Sequence, residues 1–153
     1  MSTSIDLPGE GATIALGRRF AEALPERISG WTVLLSGDLG SGKSTFARAL
    51  IGALGHNGPV PSPTYSLVEP YTLDRGTVYH VDLYRVADPG ELYFLGWDDL
   101  DTGLRLVEWP DRAPGIEASA DLAVDLDYAA DGRVATIRGL TSRGADLARA
   151  LTV

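Results

Sequence analysis

The chain has 153 residues, 44% apolar and 22% charged, a length and balance expected of one globular domain spanning 1–153 with its own core. Its 13 basic and 21 acidic residues leave a net charge of −8, a poor match for gripping nucleic acid directly, since phosphates reward basic surfaces. The absence of cysteine excludes disulfides, thiolate catalysis, Fe–S clusters and Cys-zinc sites, and nothing in the sequence reads as a signal peptide or a membrane span of about 20 residues, so a cytoplasmic setting is expected.

Ala12, Leu16, Phe20, Ala23 and Leu24 recur at helical spacing and predict an amphipathic helix over 11–25. The apolar run 31–36 predicts a buried parallel strand. A glycine-rich turn follows at 37–42. Phe46, Ala47, Leu50, Ile51 and Leu54 then form a second helical stripe, closed by Gly55. A Pro/Gly loop over 57–63 precedes a predicted strand at 64–68. Asp74-Arg75-Gly76 predicts a turn into a strand at 77–82. Asp88, Pro89 and Glu91 suit the N-cap, N1 and N3 positions of a short helix ending near Gly96. Residues 104–108 predict a further strand. Leu122, Val124, Leu126 and Tyr128 alternate onto one face with acids on much of the other, and Asp131-Gly132 turns that strand into 133–138, predicting an antiparallel hairpin. Ser142 suits the cap of a last helix carrying Leu147, Ala148 and Leu151.

Residues 37–44, Gly-Asp-Leu-Gly-Ser-Gly-Lys-Ser, fit the G-x-x-x-x-G-K-[ST] pattern, with a strand predicted before it and a helix after it. Glycines let consecutive backbone N–H groups turn inward as an anion nest, and the helix N-terminus adds its dipole. The candidate binding residues are Asp38, Leu39, Gly40, Ser41, Gly42, Lys43, Ser44 and Thr45. Lys43 is the only lysine among the chain's basic residues; the rest are arginines. An ammonium suits a tight phosphate loop as a compact point charge. In this pattern Lys43 reaches the β- and γ-phosphates and the Ser44 hydroxyl binds Mg²⁺.

Hydrolysis needs carboxylates near the metal, and these stand at strand ends beside the loop. Two predicted strands end in acids, at Asp82 and at Glu108, and either suits a metal or water-polarising role. Thr64 lies in a Pro-Ser-Pro-Thr loop, where a hydroxyl can sense the γ-phosphate; an idle residue in a rigid turn is the plainer alternative. Arg85 suits charge stabilisation or a surface ion pair equally. His56 and His80 stand too far from other ligand types to suggest a metal site. No Asn-Lys-x-Asp element exists beyond Lys43, so ATP is expected over GTP.

Four segments together, 37–45, Ser62-Pro63-Thr64-Tyr65, His80-Val81-Asp82-Leu83-Tyr84-Arg85 and Glu108-Trp109-Pro110, resemble the bacterial TsaE family of small P-loop ATPases. The resemblance extends through residues 12–17 and 91–96, nearly the whole chain. It implies an α/β, single-domain P-loop NTPase fold. Its central sheet would be mostly parallel and flanked by helices, with an antiparallel hairpin near the C-terminus. It also implies a role in making threonylcarbamoyladenosine at position 37 of tRNA, through ATP- and Mg²⁺-dependent cycling of the transferase TsaD with its paralogue TsaB. By motif, it implies that Lys43 contacts phosphates, Ser44 and Glu108 hold Mg²⁺, Asp82 assists hydrolysis, Thr64 lies in a switch-like loop and Trp109 matters for activity or docking. Tyr65 replaces the usual Phe and Ser44 the usual Thr. A small-molecule kinase and a nucleotide-gated binding module that barely hydrolyses ATP are the alternatives; the scattered arginines and lack of a lid insertion speak against the kinase.

Overall fold

The computed structural model describes residues 2–63, 67–88 and 90–152. Its strands are β1 (Ser2–Leu7), β2 (Thr32–Gly37), β3 (Val68–Leu73), β4 (Gly76–Asp82), β5 (Leu104–Glu108), β6 (Leu122–Ala129) and β7 (Gly132–Gly139). Its helices are α1 (Glu10–Ala23), α2 (Lys43–Ala53), the single turn α3 (Glu91–Phe94) and α4 (Ser142–Ala150). All seven strands join one sheet in the order β1-β7-β6-β2-β5-β4-β3. The central pairings β6–β2, β2–β5 and β5–β4 are parallel, and the outer ones antiparallel. This is the expected α/β architecture, with a parallel centre and antiparallel margins.

Residues 32–35 of β2 are buried on both faces, which explains their unbroken apolar run. Val33 and Leu35 pack with α1, α2 and α4, whereas Leu34 joins Val81, Val107 and Ala123 under the short 3-10 turns on the other face. Strand alternation thus feeds two cores, one roofed by long helices and one by short turns. Phe20 and Phe46 lock α1 onto α2 edge-to-face at 5.7 Å.

Several sequence expectations need correction. The strand predicted at 64–68 begins at Val68 and runs to Leu73; residues 64–66 lie outside the described residues. β1 was not expected, because of its residues only Leu7 is fully buried. It belongs to the sheet through its pairing with β7. Asp88 does not cap α3 directly. Its Oδ1 accepts from the Gly90 amide at 2.9 Å, Gly90 is the N-cap, and Pro89 lies outside the described residues. At the last helix the cap is Thr141, one residue before Ser142, whose Oγ1 accepts from the Gly144 amide at 3.1 Å. The first helix ends at Ala23, two residues short of the expected end.

Candidate functional site: a phosphate loop facing two strand-end carboxylates

β2 stands mid-sheet with parallel neighbours on both sides, so the loop leaving its C-terminal end opens into the crevice where such sheets bind ligands. Gly37 ends the strand at φ 153°, where a Cβ would lie 2.3 Å from Ser41 Oγ and 2.6 Å from the Leu126 carbonyl oxygen. The Ser41 amide closes a turn onto the Asp38 carbonyl at 3.0 Å. Gly42, at φ 107°, is the N-cap of α2 and has no side chain with which to cap it. The first amides of α2, those of Lys43, Ser44 and Thr45, therefore stand at the loop with the positive end of the helix dipole behind them.

The Lys43 ammonium donates to the Gly37 carbonyl and, at 3.5 Å, to the Asp38 carbonyl. It also lies 3.8 Å from the centre of the Trp109 ring. Burial lowers its pKa from the ordinary lysine value, and the carboxylates of Glu108, Asp82, Asp38 and Asp111 push it back up. Register places Asp82 directly beside Glu108 on adjacent parallel strands, and Glu108 beside Leu35 of β2. Both carboxylates are buried. Glu108 Oε2 accepts from His80 Nε2 at 2.6 Å, and Asp82 Oδ1 accepts from the Tyr84 amide at 2.9 Å. Among the described residues His80 Nδ1 is buried without a hydrogen-bond partner, so the ring's polar anchor is its bond to Glu108.

Leu39, Gly40, Gly42, Lys43, Ser44, Thr45, Asp82 and Glu108 all line one cleft of about 330 Å³, with Ser62, Tyr84 and Trp109 completing it. The structure therefore gathers most of the sequence-named residues in one place. Asp38 and Ser41 do not line that cleft: Asp38 is exposed and contributes its carbonyl to the loop's turn, and Ser41 is fully buried. Thr64 lies outside the described residues; Ser62, two positions before it in sequence, lines the cleft. Arg85 is exposed in the turn after β4 and does not line the cleft. Sequence reasoning missed Tyr84, whose ring meets Trp109 at 4.9 Å, and the grip of His80 on Glu108. The two-residue spacing from His80 to Asp82 on one strand puts both side chains on the same face, a signal that was available.

The donor set suits a magnesium polyphosphate. Among the described residues no group of three or more His, Asp or Glu forms a self-sufficient metal cage. Mg²⁺ is ordinarily held by one or two carboxylates together with substrate phosphates, and Ser44, Glu108 and Asp82 offer hard oxygen ligands beside an uncapped helix end. Across the loop lies a second cleft of about 380 Å³, walled by Pro8, Glu10, Thr13 and Arg133 and sharing Gly40, Gly42 and Thr45 with the first.

The sequence profile of a family described as "Threonylcarbamoyl adenosine biosynthesis protein TsaE" matches residues 7–135. The chain belongs to the TsaE family. A TsaE relative from Haemophilus influenzae, named as a tRNA threonylcarbamoyladenosine biosynthesis protein, is 38% identical over 150 residues, covering 95% of each chain. The Nostoc TsaE is 35% identical over 136 residues, 85% of this chain and 81% of its own. The crystal structure of Bacillus subtilis YdiB superposes with a TM-score of 0.71 at 26% identity, covering 99% of this chain and 93% of that one. The TsaE profile spans the phosphate loop, Asp82, Glu108 and Tyr128, and stops inside β7. No helix among the described residues is long and apolar enough to cross a membrane.

Proposed function

We propose that this TsaE protein binds Mg²⁺–ATP in the cleft over 37–45 and hydrolyses it to cycle a TsaB–TsaD pair during threonylcarbamoylation of adenosine 37 in tRNA. The setting would be the cytoplasm. The observation that carries the reading is the Lys43 ammonium resting on carbonyls of its own loop, between an uncapped helix end and two paired strand-end carboxylates.

In this reading Lys43 and the amides of Gly40, Gly42, Ser44 and Thr45 bind the polyphosphate, and Ser44 and Glu108 hold the metal. When bound, the metal neutralises charge between the β- and γ-phosphates. His80 keeps the Glu108 carboxylate turned in one direction. Asp82 orients the attacking water, with Thr64 contributing from the switch-like loop. Tyr84 and Trp109 wall the cleft and exclude bulk water. The second cleft offers the nucleoside a place on the far side of the loop. The net charge of −8 favours protein partners over direct contact with tRNA.

Calorimetric titration with Mg²⁺–ATP, followed by turnover measured with and without the purified TsaB–TsaD pair, tests this. Binding with turnover that rises when the pair is added is expected. Absence of ATP binding overturns the reading, and ATP-dependent pair binding without turnover would mean a nucleotide-gated adaptor instead.

A further inference from the structure

The hairpin of β6 and β7 overhangs the phosphate loop and holds it from outside. Tyr128 and Arg133 are register partners next to its two-residue turn. The Tyr128 hydroxyl donates to the Leu39 carbonyl at 2.8 Å, and the Arg133 guanidinium donates to the Gly40 carbonyl at 3.1 Å. The guanidinium also stacks on the Tyr128 ring, 4.3 Å from its centre. Neither contact is needed to fill a core, since Tyr128 is 54% exposed.

The conformation of the gripped segment gives these contacts a purpose. The bond from the Ser41 amide to the Asp38 carbonyl defines a β-turn, and Gly40 sits at its third position with φ 80°. Leu39, at the second position, is not among the positive-φ residues, so the turn is type II. Types I and II differ chiefly by a flip of the central peptide, here the one joining Leu39 to Gly40. In a trans peptide the C=O and N–H point in opposite directions. With the Leu39 oxygen held outward by Tyr128, the Gly40 N–H faces away from the hairpin. The flipped turn would present the Leu39 oxygen, a negative pole, where a phosphate is expected. Gly40 lines both clefts, and Tyr128 lines neither. A Cβ on Gly40 would lie 2.8 Å from the Tyr128 hydroxyl, so glycine is what lets the two approach.

We propose that Tyr128, supported by Arg133, is a positioning residue that locks the Leu39–Gly40 peptide in the flip presenting the Gly40 N–H to the polyphosphate. This rests on the phosphate-loop reading above. Tyr128→Phe removes the hydroxyl and keeps the ring on which Arg133 stacks. Calorimetry on the full chain should show roughly five-fold weaker binding of both Mg²⁺–ATP and inorganic tripolyphosphate, the effect of one lost hydrogen bond. The melting temperature and the turnover at saturating ATP should stay at wild-type values. In ¹H–¹⁵N spectra the Gly40 amide should shift on ATP addition in the wild type and barely in Y128F, a readout that a purely structural role would not move. Wild-type affinity and a wild-type Gly40 response in Y128F would overturn the proposal while leaving the phosphate-loop reading intact, as would a loss confined to turnover. Failure of the unaltered protein to bind either probe would overturn both.

Discussion

Lys43 and Glu108, both buried, carry opposite charges in one cleft, and their substitutions separate binding from chemistry. Lys43→Ala removes the only lysine of the chain, so ATP binding should weaken roughly 10- to 100-fold, the scale of hydrogen bonds to a charged group. Calorimetry checks this, and unchanged affinity would count against the phosphate loop. Glu108→Gln keeps an oxygen that accepts from His80 Nε2 but loses the negative charge. Nucleotide should still bind, the melting temperature should hold, and turnover should fall by about 10²-fold or more. Asp82→Ala should likewise bind ATP without turning it over; wild-type rates in both would mean that other carboxylates act. The types and spacing of these residues were legible in the sequence because the phosphate loop is local and both acids end apolar runs. The bond from His80 to Glu108 spans 28 positions and was not legible, since only strand register brings the two together.

The helices are fastened by contacts distant in sequence. α1 has no basic residue in its last turn; Arg75 serves instead, donating to the carbonyls of Ala21, Leu24, Pro25 and Glu26 from the β3–β4 turn. Arg75→Ala takes the guanidinium from these carbonyls, leaving the helix end only its Leu24 amide bond to the Phe20 carbonyl, and should cost about 2 kcal/mol. Thermal melting should register a drop of roughly 4–8 °C. Gly17 of α1 packs tightly against α2: a Cβ there would lie 2.7 Å from Ala49 Cβ and 3.0 Å from the Phe46 carbonyl oxygen. Gly17→Ala should therefore destabilise by about 1–3 kcal/mol through overpacking, despite the better helix propensity of alanine. Melting at or above the wild-type temperature would show that the helices slide apart freely. The β6–β7 hairpin was readable from its alternation and its Asp-Gly turn. Tyr128 nonetheless looked like one more core residue of that pattern, because nothing in it shows that the strand outruns the core and reaches over the loop. β1 was invisible for the related reason that Ser, Thr and Asp in alternation bury too little to leave a hydrophobic signature.

Across the whole molecule the sheet separates its duties by end. The cleft lies at the C-terminal end of β2, and at the opposite end Asp121 ties three elements together. Its carboxylate accepts from the Thr32 amide at 3.0 Å, from Thr141 Oγ1 at 2.9 Å and from Arg143 at 2.8 Å. Burial pushes its pKa upward, but the hydrogen bonds of Arg143, Thr32 and Thr141 outweigh it, and the net direction is below the ordinary aspartate value. Stability from this group is therefore fully present above the unfolded-state pKa and is lost as pH falls through the lower folded-state value. The melting-temperature gap between the wild type and Asp121→Asn should narrow as the solution is acidified below about pH 4, while ATP affinity at neutral pH stays the same in both. A gap that widens on acidification would contradict this sign. The three tryptophans follow the same division. Arg143 covers Trp31 and Arg105 covers Trp97, both at the fastening end, whereas the cation over Trp109 is Lys43 itself. On the proposed reading, an anion that draws Lys43 off the indole should change the emission of that one fluorophore and leave the other two as a constant background, an optical gauge of capture that a titration with Mg²⁺–ATP would read.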